Sequence, residues 1–208
     1  MPVALAAITL LSSTAFAKPP ADDHSPTWFA LELGLGPAFG TGFPEDPVGV
    51  GLRGALGVGG GFDGVPVRFY LMGTLRYTNL WAHTESGTLE SDLTRSLIDV
   101  SADLRVIWTV RRFRIHFDVG LGGSFLDSEA RVNDRQTFQT DDARLAIYLA
   151  GGFGYRFTRW LSANLLVEGA LPTTRPESDF VSAVSRVPSD NSETLGWTTV
   201  FFNASFHF

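Results

Sequence analysis

Apolar residues recur at every second position through most of this chain, in eight separate stretches. Residues 28–39 set Phe29, Leu31, Leu33 and Leu35 against Ala30, Glu32, Gly34 and Gly36, and residues 48–62 set Val50, Leu52, Leu56 and Val58 against Gly49, Gly51, Arg53 and Gly57. The same period runs through 67–81, 97–110, 113–125, 144–157, 161–171 and 196–208. A period of two is that of a β-strand whose faces meet different surroundings. The pattern therefore predicts an all-β chain of eight strands. The last stretch, GWTTVFFNASFHF, is longer than most soluble strands and suits the roughly 9 to 11 residues of a tilted membrane-spanning strand.

The intervals between stretches alternate in length. Residues 63–66 and the corners at Arg111 and at 158–159 are tight, whereas 40–47, 82–94, 127–142 and 172–194 are longer and polar. Short turns at one end and long loops at the other are the wiring of an up-and-down membrane barrel. The four long loops hold fourteen acidic residues against four arginines.

Alternation alone does not say which face is inside. The apolar set is too bulky for the interior of an eight-stranded barrel, which has room only for packed side chains, while glycines on the polar face suit a narrow lumen. The charged residues of that face are Arg, Asp and Glu without lysine; the chain's one lysine is Lys18. Enclosed ion pairs favour the planar guanidinium. Aromatic residues gather towards stretch ends, at Trp81, Trp108, Phe113, Phe125, Tyr155, Phe157, Trp160 and Phe208, as in interfacial girdles. Slipping the fifth strand by one residue would put Arg114, His116 and Asp118 on lipid, with an arginine near the midplane costing about 2 to 4 kcal/mol. The expected arrangement is an eight-stranded antiparallel up-and-down transmembrane β-barrel with its polar face inward.

Composition narrows the function classes. The net charge of -6 gives no electrostatic case for nucleic acid, and the absence of cysteine removes disulfides and thiolate metal sites. Residues 3–11 are apolar and Ala15-Phe16-Ala17 has the form of a leader cleavage site, so 1–17 is expected to be a cleaved signal peptide, although its start carries no Lys or Arg. Residues 18–27 form a proline-rich periplasmic lead-in, and 28–208 the barrel. The run Gly49-Val50-Gly51-Leu52-Arg53-Gly54 matches a dinucleotide-binding string, but its glycines continue strand alternation and no helix pattern follows. His116 and Asp118 share a face with Ser124, and Ser205 with His207; at about 3.4 Å per residue Ser124 lies some 27 Å from His116, too far for a triad. No catalytic, cofactor or metal site is expected. Asp141-Asp142 and the other loop acids read as solvated surface.

The alternating strand that ends on Phe208, with Phe202 and Phe206 on the same face, resembles the terminal signature of bacterial outer-membrane barrels. With eight strands, the chain resembles the OmpA, OmpX and OmpW group. That resemblance implies a monomeric barrel in the bacterial outer membrane, amino terminus periplasmic and long loops extracellular. Its partners would be outer-membrane lipid and lipopolysaccharide, and the barrel-assembly machinery reading Phe202, Phe206 and Phe208. Inside, Glu32, Arg105, His116 and Asp118 fall near mid-height, with Asp103 beside them. Arg53, Arg76, Asp99 and Glu168 are placed higher, and Arg68, Arg112, Arg114 and Arg156 near the inner mouth. Buried charges must be paired, so an Arg-carboxylate network closing the lumen is expected. Two functional readings follow. One is a structural or surface-interaction role through the acidic loops, above all 172–194. The other is small-molecule binding or passage through the lumen, which would want an apolar outer mouth where the sequence suggests ions and glycine.

Overall fold

The computed structural model describes residues 29–40, 47–61, 66–86, 89–132, 135–172 and 196–208. The expected signal peptide, the lead-in and nearly all of the 172–194 loop lie outside the described residues. The strands are β1 (Phe29–Gly40), β2 (Val48–Gly61), β3 (Val67–Ser86), β4 (Leu89–Val110), β5 (Phe113–Val132), β6 (Arg135–Arg156), β7 (Leu161–Pro172) and β8 (Trp197–His207). Each pairs antiparallel with its neighbour in sequence, and β8 returns to β1 to close the barrel. The chain thus has the up-and-down transmembrane β-barrel fold, which leaves no sheet edge in the apolar zone. At the seam the backbones of Phe29 and Phe208 bond each other, N to O at 3.3 and 3.0 Å.

One line of cross-strand partners defines the geometry. From Ala30 it runs through Gly57, Met72, Asp103, Gly120, Tyr148, Ala170 and Trp197, and it rejoins β1 at Gly40. The return is ten residues from the start, so the strands are strongly staggered and must tilt by about 35 to 45° from the barrel axis. This whole line is buried and faces the lumen; directly paired residues share a face, and the even ten-residue return keeps that face consistent at closure.

The outer face is an apolar belt. Leu33, Leu52, Leu75, Leu104, Val119, Leu149, Val167 and Phe202 are all exposed, while Glu32, Arg53, Arg76, Arg105, Asp118 and Asn203 at adjoining positions are buried. A soluble barrel would reverse that order. Rings mark the short-turn end: Phe113 meets Tyr155 at 5.5 Å, Tyr155 meets Phe157 at 5.2 Å, and Trp160 stacks on Phe206 at 6.3 Å. There the two-residue turn Arg111–Arg112 holds Arg111 at φ 57°, a left-handed conformation that costs a residue with a Cβ about 1 to 2 kcal/mol.

Four strands are longer than the alternation indicated. The expected loop 82–94 is largely a continuation of β3 and β4, paired up to Ser86 and Leu89. The expected loop 127–142 likewise continues β5 and β6 up to Val132 and Arg135. Above the belt both faces of a sheet meet polar surroundings, so the ladder persists while the hydrophobic alternation that announces it fades. The glycine-rich string 49–54 lies inside β2, with no helix after it.

Candidate functional site

Three arginines and four carboxylates meet inside the barrel. Arg53 on β2 places Nη1 2.6 Å from Glu32 Oε2 of β1, and its guanidinium also lies 3.5 Å from Asp118, 3.6 Å from Glu168 and 4.0 Å from Asp103. Arg76 on β3 donates through Nη2 to Asp103 Oδ2 and to Glu168 Oε2, each at 2.9 Å, reaching across the lumen to β7. Its guanidinium also stacks 4.3 Å above the Tyr148 ring. Arg105 on β4 forks onto Asp118 of β5 and pairs with Glu32 as well. Hydroxyls and an amide take up remaining lone pairs: Thr74 donates to Asp103 at 2.6 Å, Ser205 to Glu32 at 2.6 Å, and Asn164 to Ser205 at 2.5 Å. All seven charged groups are nearly sealed from solvent.

Glycines make the room. A Cβ on Gly120 would stand 2.0 Å from Asp103 Oδ1, and one on Gly34 would stand 1.5 Å from Asn203 Oδ1. The polar side chains of one strand lie flat over the glycines of the next.

Three of the residues expected in this network make none of its described ion pairs. Arg114 donates to Ser162 Oγ at 2.9 Å and contacts His207 Nε2 instead of a carboxylate. It lies four residues nearer the short-turn end of β5 than Asp118 does. His116 is buried, and neither ring nitrogen has a hydrogen-bond partner among the described residues. Asp99 is buried higher on β4 and belongs to none of the described ion pairs.

The lumen is also more apolar than expected. Leu80, Leu97, Leu126, Tyr148 and Trp197 pack with Ala38, Ala146 and Ala170 at the long-loop end. Tyr70, Met72 and Ile107 pack with Ala30 and Ala55 towards the other. Met72, Leu80, Leu97 and Leu126 sit in apolar doublets, Leu71-Met72, Leu80-Trp81, Leu97-Ile98 and Phe125-Leu126, as does buried Phe201 in Phe201-Phe202. Leu71 is 59% exposed and Met72 1%; Phe201 is 1% exposed and Phe202 61%. A doublet inside an alternating run is the signal that a strand has an apolar residue on both faces.

Nothing among the described residues assembles a hydrolytic triad. Ser162 Oγ is 3.5 Å from His207 Nε2, but the other nitrogen of His207 has no partner and the nearest charge is Arg114. No group of metal-ligating side chains is present among the described residues either.

At the long-loop end β3 to β6 rise beyond the rest of the wall. The last β2–β3 pair is Val48 with Trp81, and the last β6–β7 pair is Ala146 with Pro172. Residues 135–145 of β6 have their described strand partners on β5, and this stretch is about 35 Å long at roughly 3.3 Å per residue. The exposed pairs His83 with Asp92 (2.7 Å) and Glu129 with Arg131 (2.8 Å) lie on this projecting sheet.

No protein-family model and no curated protein matches the chain. Among solved structures it is similar to Neisserial surface protein A at 10% identity, covering 86% of this chain and 97% of that one, with a TM-score of 0.54. The amino-terminal β-barrel domain of Pseudomonas aeruginosa OprF aligns at 15% identity over 88% and 100% of the two chains, with a TM-score of 0.46. Ail of Yersinia pestis aligns at 10% identity over 87% and 99%, with a TM-score of 0.44. At such identities the first of these likenesses is one of fold: a single closed eight-stranded barrel.

Proposed function

We propose that this chain is a bacterial outer-membrane barrel with a structural or surface-interaction role, its lumen closed by the Arg-carboxylate network. The amino terminus and short turns face the periplasm, and the long-loop end faces outward. The observation that carries this reading is the projecting β3–β6 sheet. It stands beyond the last described rungs of β2 and β7 and presents polar pairs, His83 with Asp92 and Glu129 with Arg131, for contact with a partner. The acidic loops around it favour partners with complementary charge, and lipopolysaccharide surrounds the belt below. The lumen, filled by paired charges and capped by apolar clusters, supports a plug rather than a pore, and the site chemistry supports a non-enzymatic role. The chain folds as a monomer, delivered to the assembly machinery by Phe202, Phe206 and Phe208, all on the lipid side of β8.

The test shortens both projecting hairpins, joining the strands near Ala82 and Leu93 and near Asp127 and Ala143. The trimmed barrel is expected to fold while losing attachment to cells or partner proteins; attachment that survives trimming contradicts the proposal. Planar-bilayer recording of the intact protein checks the plug, since large, steady, nanosiemens-scale conductance contradicts it.

One observation favours the second reading, small-molecule binding or passage. The cluster of Leu80, Leu97, Leu126 and Trp197 gives the outer end of the lumen an apolar lining of the kind that reading requires. Solute uptake that is lost on Leu97→Asp, with attachment unchanged, would select it over the first.

A further inference from the structure

Where the projecting sheet leaves the apolar belt, the outward face of β3 to β6 changes character over three successive rows of cross-strand partners. The lowest row, Tyr77, Ile98, Phe125 and Ala143, is exposed and apolar. The next, Asn79, Ser96 and Asp127, is polar. Above it Trp81, Thr94 and Glu129 combine an exposed indole ring with a hydroxyl and a carboxylate. Strands lie about 4.8 Å apart and successive rows about 7 Å, so the three rows fit within a patch about 15 Å across. On the far wall the outward residues near the long-loop ends of β1 and β7 are Phe39 and Leu171, both apolar and exposed. The step from apolar to acidic belongs to the projecting side.

An open groove of about 490 Å³ lies along this step, its walls including Tyr77, Ile98, Phe125 and Ala143 of the apolar row and Ser96 and Asp127 of the row above. That size falls in the roughly 300 to 1,000 Å³ range of small-ligand sites. Asn79, the cross-strand partner of Ser96, has a buried Oδ1 with no hydrogen-bond partner among the described residues. The upper rim therefore accepts hydrogen bonds through Asn79 and Asp127, and Ser96 can give or take one. Below the rim the groove offers only apolar surface and the rings of Tyr77 and Phe125.

We propose that this groove is a binding site for a glycolipid of the adjoining leaflet, its acyl chain on the apolar row and its sugar hydroxyls on Asn79, Ser96 and Asp127. The groove is continuous with the lipid-facing belt, so a chain enters it from the bilayer without crossing water. Sugar hydroxyls supply the donors that a carboxylate and an amide oxygen require. A phosphodiester has no hydrogen to donate, and its negative charge is repelled by Asp127. Trp81 stands one row higher, an amphipathic ring of the kind that settles at the headgroup level. The proposal rests on the membrane-barrel reading, and it makes the projecting side of the wall the one that selects its lipid neighbour.

The experiment uses the full folded chain in micelles of tetraethylene glycol monooctyl ether, a detergent without sugar. Native mass spectrometry compares retention of monoglucosyl dipalmitoylglycerol with that of dipalmitoylphosphatidylcholine, which has the same chains and no hydroxyl. The glycolipid is expected to be retained at least about fivefold over the phospholipid, a ratio that one net hydrogen bond supplies. Ser96→Ala combined with Asp127→Ala, both on the outward face, is expected to bring that ratio to about one. Ala143→Trp, which fills the groove from its apolar side, is expected to do the same, and Thr198→Ala on the outward face of β8 to leave the ratio unchanged. Equal retention of the two lipids by the unaltered chain overturns the proposal, as does a preference that survives the double substitution. Displacement of the glycolipid by equimolar glucose also overturns it, because the acyl chain would then contribute nothing. Retention is read without cells or partner proteins, so it holds or fails separately from the attachment lost on trimming the hairpins.

Discussion

Arg105 holds Asp118 by a two-pronged fork, Nε to Oδ1 at 2.8 Å and Nη2 to Oδ2 at 2.5 Å, while its third nitrogen pairs with Glu32. One guanidinium thus neutralises carboxylates from two strands, β1 and β5, that are not neighbours in the wall. Arg105→Met leaves Glu32 and Asp118 facing each other with Arg53 as their remaining counter-charge. The expected cost is about 3 to 5 kcal/mol, the usual result of removing one partner from a buried pair. Adding Asp118→Leu removes the stranded charge and is expected to recover about half of that loss. Urea unfolding midpoints of the two variants in lipid vesicles check both values.

Gly120 is where the network depends on an absent side chain. Asp103 lies over it, holding Arg76 at 2.9 Å and Thr74 at 2.6 Å, and a Cβ would meet its Oδ1 at 2.0 Å and the Ala102 carbonyl at 3.4 Å. Gly120→Ala must push Asp103 off both partners. The expected destabilisation is about 1 to 3 kcal/mol, whereas Gly73→Ala, whose nearest neighbour would be 3.8 Å away, is expected to cost less than about 1 kcal/mol. The same unfolding measurement separates them.

The sequence revealed the barrel because lipid demands strict alternation: in β1, Leu31, Leu33 and Leu35 face outward while Glu32 and Gly34 face inward. Where lipid ends, the demand ends, and the upper halves of the β3–β4 and β5–β6 hairpins looked like loops. The ionic lumen was legible in outline, since Arg53, Arg76, Asp118 and Glu168 interrupt apolar strands at lumen positions. Which arginine meets which carboxylate was not, because partners such as Arg76 and Glu168 are joined across the lumen by the ten-residue stagger rather than by the wall. Arg114 shows the limit: its position was readable, but its Ser162 and His207 partners come from strands that only closure brings near.

Charge placed on the two ends of one ladder should separate the belt from the projecting sheet. Val119 faces outward opposite Leu104, within the belt, and Val119→Arg is expected to cost about 2 to 4 kcal/mol if that point is near the midplane. Thr94 is exposed on β4 opposite Glu129, and Thr94→Arg there is expected to change stability by less than about 0.5 kcal/mol. Equal penalties at the two positions would place both in the same surroundings and contradict the assigned boundary.

Phe208 offers a separation of folding from delivery. Its backbone closes the seam with Phe29, but its side chain is exposed towards lipid. Phe208→Ala keeps both seam hydrogen bonds, so refolding of purified protein into vesicles is expected to proceed in normal yield. In cells the same substitution is expected to lower the heat-modifiable folded band on gels, on the proposal that the assembly machinery reads the side chain rather than the bond. Deleting Phe208 removes the bonds as well and is expected to lower yield in both settings. A substitution that impairs refolding in vesicles as much as in cells would mean that the ring serves the barrel's own packing and carries no address.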